Sequence, residues 1–256
     1  PINSIVFLNI HEYIHIQQNT EGGYDLLSQS LFEGIAEFVP TLALGKSSPT
    51  PAINFGKNNA HRVREAFEKE MFSPWAYNWI WNNFENEFKV RDLGYYVGYA
   101  IAEQYYTKAQ DKTLAIKALI ELDFNQPLQV EALVDQSGYC SKPIKVLKKR
   151  FEKSRPYVTG IKEFKNGSKK VSAQTQQITI AFSEAMDTRF RSTDYGKLGK
   201  DYFPDILSAK FAEDGKSVTY EVQLKPNQTY QFVIEQSFRN SKAIPLKPYI
   251  VEFSTQ

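Results

Sequence analysis

Between residues 4 and 153, apolar side chains recur three and four positions apart, the spacing that lines one face of an α-helix. The segments 4–18, 24–39, 59–72, 74–88, 92–108, 111–122, 128–136 and 141–153 carry this pattern and are interrupted by Gly, Pro and Asn clusters. One interruption, "GKSSPTPAINFGKNN" at 45–59, reads as a loop by composition and is long enough to cover or border something functional. After "SRP" at 154–156 the period changes from helical to two. "YVTGIKEF", "QQITIAF", "SAKF", "SVTYEVQL", "TYQFVIE" and "YIVEFST" are strand candidates, separated by the turn-forming "KNGSKK", "EDGKS" and "KPNQ".

Six or seven short antiparallel strands in about a hundred residues are the pattern of an immunoglobulin-like sandwich. The expected fold class is therefore α+β multidomain, with a mainly helical domain over 1–154 and an all-β sandwich over 155–256. Composition supports two ordinary globular domains: 42% of the 256 residues are hydrophobic, 23% charged and 14% aromatic. A formal charge of +2 gives no field for recruiting nucleic acid or anionic membrane. The one basic cluster, "KPIKVLKKRFEKSR" at 142–155, alternates lysines with Ile144, Val146, Leu147 and Phe151 and reads as a solvated helix face. No apolar run approaches the roughly 18 residues of a membrane span, and no charged-then-apolar leader opens the sequence. A single cysteine, Cys140, excludes an intrachain disulfide and a thiolate zinc cluster.

Candidate chemistry is concentrated in "NIHEYIHIQQ" at 9–18. On a helix, residues four apart lie about 40° from each other around the axis, so His11 and His15 face one way and can hold one divalent ion. Glu12 sits on their flank, where a general base acting on water would stand. Two histidines leave a catalytic zinc one protein ligand short. The next helix offers "LFEGIAEF", with Glu33 and Glu37 on one face; Glu33 as ligand and Glu37 as acceptor from an imidazole ring would give both carboxylates a role. The plainer alternative is two solvent-facing histidines on a core helix. Ile5, Val6, Leu8, Ile10, Ile14 and Ile16 weigh against it, because they predict a helix buried nearly all round, whose imidazoles would need partners.

"HEYIH", 17 residues, then "EGIAEF" resembles the gluzincin metallopeptidases, in particular bacterial predicted zinc-dependent proteases that combine "HEYxHxxQ", "EGxAE" and a later "GYYxGYxI", here "GYYVGYAI" at 94–101. The resemblance implies Zn2+ at His11, His15 and Glu33, Glu12 as base, Glu37 behind the ligands, and a peptide or protein substrate. It also implies a tyrosine steadying the oxyanion: Tyr96 or Tyr99, with Tyr96 preferred, against the alternative that these rings simply pack around Gly98. His61, in "NNAHRVREAF", is expected to decorate a helix start. In the second domain, "ITIAFSEAMDT" at 178–188 and the closing "VEFST" are similar to bacterial immunoglobulin-like modules, which implies an extracytoplasmic location, in periplasm or envelope, and docking to an envelope partner. Ser183, Glu184 and Asp187 there read as a strand-ending turn. Gluzincins place a sheet ahead of the first zinc helix, and ten residues precede His11 here. The competing expectation is accordingly a non-catalytic envelope protein with a structural or vestigial zinc site.

Overall fold

The computed structural model describes residues 2–18, 23–82 and 86–256 and combines helices with antiparallel sheets, a mixed α+β architecture. The chain divides into two compact units, Pro1–Lys153 and Ser154–Gln256. The described helices are α1 (Ile2–Gln17), α2 (Leu26–Leu44), α3 (Pro51–Asn58), α4 (Ala60–Glu70), α5 (Leu93–Lys108), α6 (Lys112–Ile120), α7 (Pro127–Ser137) and α8 (Ile144–Ser154).

Within the first unit α5 is the hub, on which α2, α3, α4, α6 and α7 all pack. Its tightest partner is α2, because small residues let the two backbones touch. A Cβ on Gly98 would fall 1.7 Å from the Ser30 carbonyl oxygen, and one on Gly34 would fall 2.2 Å from the Gly98 carbonyl carbon. Gly94, one turn before Gly98, lies against Ile80 and the Ser30 hydroxyl. At the start of α2, Asp25 accepts the Ser28 N–H at 2.8 Å, while Leu26 and Leu27 donate to the carbonyls of Ser73 and Met71, so the first turn has its donors satisfied. The helix runs on through Pro40 and ends at Gly45, whose φ of 60° only glycine adopts freely.

Three expectations change. Of the pattern at 74–88, the described residues 74–82 and 86–88 form no helix, because asparagines bind the backbone instead: Asn82 and Asn86 donate to the Asn78 carbonyl at 3.0 and 3.1 Å, and Asn86 Oδ1 accepts the Phe88 and Val90 N–H groups. The supposed loop at 45–59 is mostly α3, begun by Pro51 at a position where the missing N–H costs nothing. Finally, α1 is not buried all round. It packs mainly on α2, turning Phe7, His11 and Ile14 inward and leaving Ile5, Leu8, Tyr13 and Ile16 more than half exposed.

The second unit holds β1 (Val158–Ile161), β2 (Gln177–Phe182), β3 (Thr193–Tyr195), β4 (Asp205–Phe211), β5 (Ser217–Gln223), β6 (Thr229–Ile234) and β7 (Tyr249–Ser254). They form an antiparallel sheet in the order β1-β2-β5-β4 and another in the order β3-β6-β7. Period-two burial makes the shared core: Ile178 and Ile180 of β2, Val218 and Tyr220 of β5, Phe232 of β6 and Phe253 of β7. The short β3 was not among the strand candidates, since three residues carry no alternation. Ser183, Glu184 and Asp187 serve the local turn, accepting from the Tyr157 N–H, the Asn240 amide and the Arg189 guanidinium.

Candidate metal centre

α1 and α2 bring His11, His15 and Glu33 together. The Nε2 atoms of the two imidazoles are 3.1 Å apart, and Glu33 Oε2 lies 3.6 Å from His11 Nε2 and 3.4 Å from His15 Nε2. Each ring's other nitrogen is engaged behind the site. His11 Nδ1 donates to Glu37 Oε2 at 3.2 Å, and His15 Nδ1 donates to Gln18 Oε1 at 2.7 Å. When both rings are neutral and both Nδ1 atoms donate, the two Nε2 atoms present lone pairs to each other and to a carboxylate oxygen. Three electron-rich atoms converging in this way repel unless a positive charge lies among them, either a proton on an imidazole or a metal ion.

The size of the triangle fits such a cation. Ligands about 2.0–2.1 Å from a tetrahedral ion stand roughly 3.3–3.4 Å from one another. A circle through the three donor atoms has a radius of about 2.0 Å, matching the length of zinc's bonds to nitrogen and oxygen ligands. Two imidazoles and a carboxylate are donor types that a divalent transition-metal ion accepts.

Protons report the same electrostatics. Burial opposes the charged form of His11, but Glu33 and Glu37 outweigh it and push its pKa up to about 9. Burial likewise opposes ionisation of Glu33, yet hydrogen bonds from His11, His15 and Tyr95 hold it down at about 2. Glu37, buried too, stays below the usual carboxylate range through His11, Ser48 and Thr50. The Ser48 hydroxyl donates to Glu37 Oε1, so the chain just before α3 does border the centre. Gln18 is anchored in turn, its amide donating to the Phe32 carbonyl at 3.0 Å, and the Phe32 ring stacks on His15.

Glu12 is exposed on the flank of α1, about 100° around the axis from His11 and 60° from His15. Tyr96 and Tyr99 are placed away from the triangle. The Tyr96 ring covers Gly56, while the Tyr99 hydroxyl accepts from Lys57 Nζ at 3.3 Å and donates to Glu103 Oε1 at 3.2 Å. The tyrosine at the site is Tyr95, whose ring stacks on His11 with centroids 6.2 Å apart and whose hydroxyl donates to Glu33. A signal for it lay in "GYYVGY": Gly94 and Gly98 mark the face of α5 that touches α2, and Tyr95 is the tyrosine nearest that face. Gln18 could have been found by its position three residues after His15, in register to reach a ring nitrogen. His61, exposed at the start of α4, pairs with Glu65 at 3.5 Å. Burial pushes the Cys140 thiol up to about 12, which leaves it no thiolate chemistry near neutrality.

No family model matches the chain, and no curated protein matches it. Among solved structures, the N-terminal part of the bacterial S-layer protein SbsC is 13% identical with a TM-score of 0.29, the likeness covering 62% of this chain and 38% of that one. The S-layer protein rSbsC is 10% identical with a TM-score of 0.28, over 100% of this chain and 32% of that one. Domains 1-6 of SbsC are 12% identical with a TM-score of 0.29, over 99% and 32%. The chain thus spans about a third of the length of these S-layer chains, and likeness this slight carries no argument about fold or function. Among the described residues no helix is long and apolar enough to cross a membrane.

Proposed function

We propose that the protein is a zinc-dependent metallopeptidase of gluzincin type, its first unit a zincin-like catalytic domain and its second an immunoglobulin-like docking module. The observation that carries this reading is the triangle of His11 Nε2, His15 Nε2 and Glu33 Oε2, sized for a tetrahedral dication and braced from behind by Glu37, Gln18 and Tyr95. A zinc ion bound there supplies Lewis acidity, polarising a peptide carbonyl and making water acidic enough to attack near neutral pH. His11 and His15 are locked by their Nδ1 hydrogen bonds in the tautomer that offers Nε2. Glu12, exposed beside them, accepts the proton of the attacking water and returns it to the leaving amine. Tyr95 fixes the orientation of the Glu33 carboxylate.

The motif "FSEAMD" and the two-sheet second unit support placement outside the cytoplasm, in the periplasm or envelope, with that unit facing an envelope partner. Metal content by mass spectrometry and turnover of a peptide library test the peptidase reading together. One zinc per chain is expected in the parent and in Glu12→Gln, and almost none in His15→Ala. Glu12→Gln should lose about 10²–10⁴ in kcat/KM. A Glu12→Gln variant that cleaves as fast as the parent removes the role given to Glu12. The second reading, an envelope protein with a structural zinc site, draws on the open flank of α1, where Ile5, Leu8 and Ile16 face solvent around Glu12. Turnover abolished by a chelator and restored by zinc excludes it.

A further inference from the structure

Trp81 breaks two rules at once. The residue is 61% exposed, whereas its neighbour Trp79 is 2% exposed and packed edge-on against Phe67. Its backbone is left-handed, with φ of 53°, a conformation unfavourable for a bulky L-residue and kept only where the surroundings enforce it. Here they do. The Trp81 N–H donates to Asp92 Oδ1 at 2.6 Å, and the N–H of Asp92, itself left-handed at φ 61°, donates to Asn82 Oδ1 at 2.9 Å. Arg91 Nε holds the second Asp92 oxygen at 2.9 Å, and Gly94 ties the start of α5 to the Trp79 carbonyl at 2.8 Å. The clamp sets Trp81 beside Tyr95, the ring that stacks on His11. Core packing gives no reason for such an arrangement, because the ring it stabilises faces water.

We propose that Trp81 is a substrate-binding residue, its open indole face forming an aromatic wall beside the zinc ligands that takes a large apolar or aromatic side chain of a peptide next to the bond to be cut. The position rests on the geometry; the peptide nature of the ligand rests on the metallopeptidase reading. Covering an exposed indole with an aromatic ring removes apolar surface from water and adds the ring–ring contact, together worth about tenfold in affinity.

The test uses the zinc-loaded full chain and two peptide hydroxamates that differ only in phenylalanine against glycine beside the zinc-binding group, measured by titration calorimetry. The parent should bind the phenylalanine compound about tenfold tighter. Trp81→Gly should bring that ratio within about twofold while leaving the glycine compound's affinity and the zinc content unchanged, because glycine accepts the left-handed backbone without strain. Trp81→Phe, which keeps a ring, should retain most of the preference, and Trp81→Asn, at ease in the same backbone region, should lose it. Equal ratios in the parent and Trp81→Gly overturn the proposal. Should Trp81→Gly fail to fold, equal ratios for Trp81→Phe and Trp81→Asn overturn it instead. An aromatic preference in a protein that cleaves no peptide upholds Trp81 and ends the peptidase reading. Chelator-sensitive cleavage with a side-chain preference indifferent to Trp81 does the reverse. Binding of neither hydroxamate ends both.

Discussion

Two Nε2 atoms 3.1 Å apart, set by hydrogen bonds at the opposite ring nitrogens, make the candidate metal centre at the scale of single residues. Their orientation depends on Glu37 and Gln18, so Glu37→Gln and Gln18→Leu should each weaken zinc binding about 10- to 100-fold in competition titrations, without removing any ligand atom. Protons compete for the same lone pairs. With His11 raised to about 9, zinc must displace a proton at neutral pH, and its affinity should fall about tenfold per pH unit below that value. The zinc-free protein should follow a different profile. His11 is raised from 6.5, so its contribution to stability is complete below that pH and disappears as pH climbs through about 9. Glu33 is depressed from 4.5, so its contribution is complete above that pH and is lost as pH falls through about 2. Together these two groups favour the zinc-free fold most between pH 4.5 and 6.5, and thermal melts across pH 4 to 9 should place the maximum there. Spacing alone made His11, His15, Glu33 and Glu37 legible in the sequence, because four-residue steps on consecutive helices fix which side chains share a face. Tyr95 was hidden by its neighbours. Three tyrosines stand within five residues, and only the crossing of α5 over α2 decides which one meets Glu33.

That crossing is an element-scale device, and its tolerance is small. Gly98→Ala drives a methyl against the Ser30 carbonyl, and Gly34→Ala drives one against the backbone of Gly98. Backbone cannot rotate away as a side chain can, so each should cost about 3 kcal/mol in urea denaturation. Both should also lower zinc affinity by displacing Glu33. Gly160→Ala, where a Cβ meets nothing within 4 Å, is the control and should change stability by less than about 0.5 kcal/mol. If Gly98→Ala proves as mild as the control, the helices are not in the contact described. Most helices of the first unit were legible because their apolar faces repeat over several turns and rest on α5. Segment 74–88 carried the same apolar spacing but also Pro74 and the asparagines whose side chains outcompete the helical ladder, so pattern and backbone chemistry pointed in opposite directions. In α1 the apolar residues overstated burial: a helix packed mainly on one neighbour covers one face, whatever the composition of the others.

For the molecule as a whole, the decisive fact is that each unit carries its own core, built on helix spacing up to Lys153 and on strand alternation from Ser154 onward. All three candidate ligands belong to the first unit. A ligand that binds only the folded state stabilises by RT ln(1 + [L]/Kd), about 2.7 kcal/mol when free zinc is a hundred times its dissociation constant. For a unit of this size that amounts to a rise of roughly 5–10 °C in melting temperature. Calorimetry should therefore resolve two transitions, of which zinc raises one and a chelator lowers the same one, while the other stays in place. His15→Ala should abolish the shift without moving the zinc-insensitive transition. A zinc response carried by both transitions, or by the one that persists when residues 154–256 are expressed alone, would place the ion somewhere other than between α1 and α2, because no side chain of the second unit contributes to the triangle.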